Sequence, residues 1–237
     1  MKKILIVSAL LIFSAAANAQ LFKVFGKEIG FVYAGPKIGG IFSRISNFDE
    51  PAFPGADKPD VKFRTGFQFG IVGKFSITPK LSIQPEIAFL QKGLKTEVSG
   101  ATSKYKTGYI GIPVIAKYAL TQFGDIKIHV EGGVFSNVRT SGKYEFTDVT
   151  GQTTEGDLNN DGWRRMDYGF VIGGGFEYEL DKGIILFDLR YDQSFMDVHI
   201  SDATFNSNRS IGFSVAYLFD FVDLYKSMKE KKKQKTT

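Results

Sequence analysis

The chain has 237 residues, with 30 Lys+Arg against 25 Asp+Glu, a formal net charge of +5 and a pI near 9.1. It contains no Cys, which excludes a disulfide scaffold, a Cys-ligated zinc site and a thiol nucleophile. A hydrophobic fraction of 43% excludes disorder, because such a chain can bury a core.

The surplus charge sits at the two ends. Lys2 and Lys3, the apolar run Ile4 to Phe13 and Ala17-Asn18-Ala19 read as a secretory signal over residues 1–19. That run is too short for a spanning helix, which needs roughly 20 residues. From Asp220 onward there are six Lys against Asp220, Asp223 and Glu230, so the segment is worth +3. Between Gln20 and Phe219 the remainder is 22 basic and 22 acidic residues. A neutral body gives no bulk-charge support for a nucleic-acid partner.

Period-two alternation, not a helical period, runs through that body. The first strand covers about Tyr33 to Arg44, with Lys37 and Gly39 on its polar side. In the second, Phe63, Phe67, Phe69, Ile71, Phe75 and Ile77 oppose Arg64, Gly66, Gln68, Gly70 and Lys74. The third sets Leu81, Ile83, Ile87 and Phe89 against Gln84 and Glu86, and the fourth sets Ile110, Ile112 and Val114 against Tyr109, Gly111 and Lys117. In the fifth, Ile126, Ile128, Val130 and Val134 oppose His129, Glu131 and Asn137; in the sixth, Tyr168, Phe170, Ile172 and Phe176 oppose Gly173, Gly175 and Glu177. The seventh sets Ile185, Phe187, Leu189 and Tyr191 against Asp188, Arg190 and Asp192, and Ile211 to Phe219 closes the series as the eighth.

Connections alternate in length. Tight turns are expected at Thr78-Pro79-Lys80, at about Thr121 to Asp125 and at Asp181-Lys182-Gly183. Long loops are expected over Ile45 to Lys62, Glu97 to Lys104, Tyr144 to Arg165 and Gln193 to Asn208. Short turns at one end and long loops at the other predict an all-β, eight-stranded antiparallel up-and-down transmembrane barrel. A soluble secreted ligand-binding barrel shares the strand count, so the polar face decides. It is crowded with Gly and carries charges of both signs, as a small barrel's interior requires, whereas Gly weakens a solvated exterior strand. The barrel is assigned to residues 20–221 and a Lys-rich periplasmic tail to 222–237.

Five stretches then carry a resemblance. They are Gly35-Pro-Lys-Ile-Gly-Gly-Ile-Phe-Ser43, Gln84-Pro-Glu-Ile-Ala-Phe-Leu-Gln-Lys-Gly93, Tyr109-Ile-Gly-Ile-Pro-Val-Ile-Ala-Lys-Tyr118, Asp167-Tyr-Gly-Phe-Val-Ile-Gly-Gly-Gly175 and Ala216-Tyr-Leu-Phe219. In this order the chain resembles the PorT-like outer-membrane β-barrel proteins of Gram-negative bacteria, often called porin-family proteins. The resemblance implies an outer-membrane location and a possible link to a secretion or envelope system, and it says little about activity. The chain departs from that pattern in continuing past Phe219 and in having Ser214 where Gly is common.

The inward-facing charges Lys37, Arg64, Lys74, Glu86, Lys117, Glu131, Glu177, Asp188 and Arg190 are expected to form an ion-paired interior network, because unpaired buried charges are costly. A proton or ion path through Glu86, Asp188, Arg190 and Asp192 is the sharper alternative. Asp157, Asn159 and Asp161, followed by Gly162, match the first half of a calcium loop, but the twelfth position is Tyr168 instead of Glu. A turn-rich loop explains the same residues. No cofactor is expected otherwise. Trp163 reads as an anchor at the headgroup level, with Arg164 and Arg165 beside it; a patch contacting lipopolysaccharide is the alternative. His129 and His199 lack partner spacing, and no catalytic residue is assigned. The expected partners are outer-membrane lipid, the barrel assembly machinery and a periplasmic or envelope protein reached by the tail. The expected function is a non-enzymatic structural or interaction barrel, with a narrow ion or small-solute channel as the alternative.

Overall fold

The computed structural model describes residues 23–24, 27–28, 30–46, 60–158, 163–198 and 206–220. Eight long strands follow in chain order: β1 (Gly30–Ile45), β2 (Arg64–Ser76), β3 (Leu81–Val98), β4 (Ala101–Phe123), β5 (Ile126–Thr147), β6 (Met166–Leu180), β7 (Gly183–Ser194) and β8 (Asn208–Asp220). Each pairs antiparallel with its chain neighbours, and β8 returns to β1, Ile211 opposite Phe42 and Val215 opposite Ile38. The ring is closed, so the spanning sheet has no edge and its backbone polar groups are satisfied without water. This is the eight-stranded up-and-down barrel expected from the alternation.

Side chains divide between the two faces as period two requires. Ile38, Phe69, Ile71, Ile112, Val134, Ile172, Leu189 and Phe213 point outward and are exposed. So large an apolar belt suits lipid and not water. Aromatic contacts mark its borders, Phe67, Phe69 and Phe89 toward the long-loop end and Tyr217 with Phe219 toward the short turns. Inward positions alternate between very small and charged residues. A Cβ on Gly175 would lie 1.8 Å from the Phe187 carbonyl oxygen, so only Gly lets these strands approach there.

The interior is filled in layers. Val72, Ile184, Leu186, Ala216 and Leu218 close the short-turn end. Ion pairs occupy the middle, and Ile41, Ala88, Leu90 and Tyr109 lie above them. Ile45, Leu94, Trp163 and Val198 stop the mouth at the long-loop end.

Two of the expected long loops are corrected. Residues 97–104 are not a loop, because β3 and β4 run on to a two-residue turn at Ser99 and Gly100. Both turn residues have positive φ, 46° and 87°, which is the backbone a tight hairpin of this twist demands. Over 144–165, β5 continues to Thr147 and a strand Thr153–Asp157 folds back along it. A second short strand, Asp60–Lys62, pairs with the outer end of β3. Lengths of 18, 23 and 22 residues for β3, β4 and β5 far exceed the roughly 9–11 needed to cross the bilayer. The surplus forms a five-stranded ribbon beyond the barrel.

Candidate functional site

The middle layer is assembled by register. β3 brings in Gln84 and Glu86, β5 His129 and Glu131, β7 Asp188 and Arg190, while β1 and β4 supply Lys37 and Lys117. Arg190 is the hub. Its Nη1 donates to Glu86 Oε1 at 2.7 Å, its Nε to Glu131 Oε1 at 2.7 Å and its Nη2 to Asp188 Oδ2 at 2.8 Å. Glu86 also accepts from Lys37 and, at 2.7 Å, from Gln84 Nε2. Lys117 Nζ lies 2.7 Å from Asp188 Oδ1 and 3.3 Å from Glu131 Oε2. Three cations therefore face three carboxylates, all nearly inaccessible to solvent.

His129, set aside in the sequence reading, belongs to this cluster: its Nε2 lies 3.0 Å from Asp188 Oδ1 and 3.3 Å from Lys117 Nζ. His129, Glu131 and Asp188 offer ligand atoms within 4.8 Å of one another, an arrangement that could surround a metal ion. The Lys117 ammonium stands among those atoms and, with Arg190, supplies the compensating charge. The charges balance within the cluster, while His129 Nδ1 and Gln84 Oε1 are buried without a hydrogen-bond partner. Gln84 and His129 each lie two residues before a charged inward residue, and that spacing is the signal by which both could have been found.

Lys74 and Glu177 make a separate buried pair toward the short-turn end, and Lys127 and Glu179 a partly exposed one at 2.8 Å near the rim. Arg64 is not part of the network. Its Nη1 and Nη2 donate at 3.3 Å to the Lys92 carbonyl and to Gln91 Oε1 near the opposite end. Two internal cavities flank the ion layer. One of about 20 Å³ touches Lys74, Lys117, His129 and Glu177; the other, of about 30 Å³, touches Lys37, Gln68, Glu86 and Arg190. A water needs about 10–15 Å³ of such space, so each is roomy enough for one or two waters. The ion pairs of the middle layer lie between the two.

At the mouth, Trp163 is 9% exposed and stacks on Tyr105 with ring centroids 5.7 Å apart. It is not the expected headgroup anchor. The continuation of β3 and β4 creates an apolar recess from Leu94 and Tyr105, and the indole fills it. Arg139 Nη2 fixes this lid by donating to the Trp163 carbonyl at 3.1 Å. Arg164 and Arg165 remain exposed. Of the calcium-loop residues, Asp157 lies in the ribbon opposite Lys143, while Asn159 and Asp161 are outside the described residues. His199, the signal segment and the tail also lie outside them.

The ribbon has one charged face and one carrying Leu94, Tyr105, Tyr144 and Phe146, by the alternation of its registers. On the charged face, Lys62 and Lys95 donate to the Glu97 carboxylate and hold its pKa down at about 2. Lys104, at 2.7 Å, likewise lowers that of Glu145. The hairpin turn is tied by Asp148, whose Oδ1 accepts from Thr150 Oγ1 at 2.7 Å and from the Thr150 and Gln152 amides. These bonds lower the Asp148 pKa.

Among curated proteins none matches the sequence. Several solved structures are similar to the chain at low identity. Ail, the attachment invasion locus protein of Yersinia pestis, solved in complex with the heparin analogue sucrose octasulfate, is 15% identical with a TM-score of 0.40, covering 80% of this chain and 99% of Ail. Neisserial surface protein A is 11% identical with a TM-score of 0.46, covering 81% and 99%. OprG from Pseudomonas aeruginosa is 15% identical with a TM-score of 0.39, covering 80% and 95%. The model of one family, described as outer membrane protein beta-barrel domain, matches residues 18–199. With that match over most of its length and a closed, lipid-faced barrel, the chain belongs to the outer membrane protein beta-barrel domain family and resides in the cell outer membrane.

Proposed function

We propose that this protein is a closed, non-enzymatic barrel whose work is done by the ribbon it raises above the membrane. The carrying observation is the contrast between an interior filled by ion pairs and a five-stranded ribbon that continues far past the spanning length. Membrane residence removes the soluble ligand-binding alternative. The middle of the interior sets three cations against three carboxylates. A partner that docks on the ribbon meets Lys62, Lys95, Lys104 and Lys143 alternating with Glu97, Glu145 and Glu155, a face suited to protein contact. A PorT-like accessory role in a secretion or envelope system rests on the five sequence motifs, with the Lys-rich tail as the periplasmic contact.

Photo-crosslinking in intact cells tests this reading. A crosslinker at Lys143 or Val149 is expected to trap a discrete protein, whereas one at lipid-facing Ile172 traps none. Ribbon positions that trap nothing overturn the interaction role. A version truncated after Phe221 is expected to lose periplasmic adducts and keep those of the ribbon; unchanged adducts remove the tail from the account.

A further inference from the structure

Two arginines stand apart from every ion pair described above. Arg44, near the end of β1, and Arg209, at the start of β8, oppose each other directly in the β1–β8 ladder. Ser43, Ile45, Asn208 and Ser210 on either side of them are buried inward, so both arginines point out of the barrel. Directly beneath them, toward the bilayer centre, lie the exposed pair Phe42 and Ile211. The Arg44–Arg209 rung thus sits about 7 Å above the lipid-facing pair Phe42 and Ile211, at the headgroup level of the outer leaflet.

Among the described residues, no carboxylate pairs with either of them. Like charges directly opposed across two strands destabilise the pairing. Here the row continues to Phe63 on one side, whose ring lies 5.1 Å from the Arg44 guanidinium carbon, and to Gln193 on the other. Neither neighbour is an acid. The Nε atoms of Arg44 and of Arg209 are both buried and both without a hydrogen-bond partner. Two arginines on one rung of the ladder, with no acid opposed to either in that row, match an anion of tetrahedral shape better than a single carboxylate.

We propose that Arg44 and Arg209 together bind a phosphate group of an outer-leaflet lipid headgroup. The lipid-facing direction and the depth of the pair, immediately above Phe42 and Ile211, select a lipid phosphate over a free one. The bound phosphate removes the repulsion between the strands that close the barrel, so the site ties lipid binding to the β1–β8 seam.

Native mass spectrometry of the full chain in detergent micelles tests the assignment, with bisphosphorylated lipid A, the same lipid dephosphorylated, and inorganic phosphate as probes. The wild type is expected to retain one lipid A. The Arg44→Gln/Arg209→Gln variant is expected to bind it roughly tenfold more weakly. Dephosphorylated lipid is expected to bind the wild type no better than lipid A binds the variant. Equal binding by both proteins, or binding indifferent to the phosphates, overturns the proposal. Inorganic phosphate bound as tightly as lipid A overturns the lipid assignment. If the glutamine variant does not fold, Arg44→Lys/Arg209→Lys keeps the charge and loses the forks, and it must still weaken lipid A binding severalfold.

Discussion

Lys74 and Glu177 give the cleanest view of what a single inward charge does, because they pair with each other away from the Arg190 hub. Breaking such a buried pair from one side strands the other charge, at a cost of about 3–5 kcal/mol. Lys74→Met is therefore expected to lower unfolding stability in bilayers by that order, and Lys74→Met/Glu177→Leu by clearly less than the sum of the two single changes. Additive losses, read from urea unfolding, would show that the pair is not coupled. The direction in which Lys74 and Glu177 point is legible in the sequence, since each sits in a polar row of a period-two strand. Their meeting is not. They are 103 positions apart, and only the register of the closed ring makes them partners. The same holds for Arg190 and Glu86, whereas Arg64, on an equally polar row, lies too near the mouth to join. The place of Trp163 is not legible in the chain, because an aromatic beside two arginines has the composition of an interface anchor, and the recess it fills exists only once β3 and β4 extend.

Among the elements, the ribbon is where sequence reasoning was weakest. Outside the bilayer no lipid demands an apolar face, so Lys95 to Lys106 carries Lys, Thr, Ser and Glu in the proportions of a loop. Its backbone signal is the turn. Gly100 has φ of 87°, and a β-branched residue in that region costs about 1–2 kcal/mol. Gly100→Val is expected to raise amide exchange over residues 94–106 while the barrel keeps its folded mobility on gels. Unchanged exchange would remove the turn from the account.

The ribbon's ion pairs also set a pH window. Glu97 has its pKa lowered to about 2 from the ordinary 4.5. A depressed carboxylate contributes stability fully present above the unfolded value and lost as pH falls through the folded one. The Lys62–Glu97–Lys95 contacts are thus expected to persist at pH 5 and to open between about 4.5 and about 2. The Glu97 carboxyl carbon shift, followed by NMR, is expected to titrate near the lower limit; a midpoint at the ordinary value would mean that the two lysines do not hold it.

For the molecule as a whole, eight period-two segments joined in sequence make an even, up-and-down ring legible in the chain, because antiparallel neighbours close back on the first strand only when their number is even. The inward crowding of Gly with balanced charge pointed to a filled lumen. The layering did not follow from pattern alone. It depends on which inward residues fall at the same height: apolar Leu186 and Leu218 below, the Arg190 cluster in the middle, Tyr109 above, and Trp163 at the mouth. With this arrangement, cavities of about 20 and 30 Å³ remain separate.

Single-channel recording in planar bilayers tests that closure most directly. The purified wild-type barrel is expected to show no stepwise openings, and Arg190→Ala, which leaves Glu86, Glu131 and Asp188 facing only Lys37 and Lys117, is expected to introduce cation-selective ones. Steady, reproducible openings of the wild type would contradict a barrel closed by its own ion pairs.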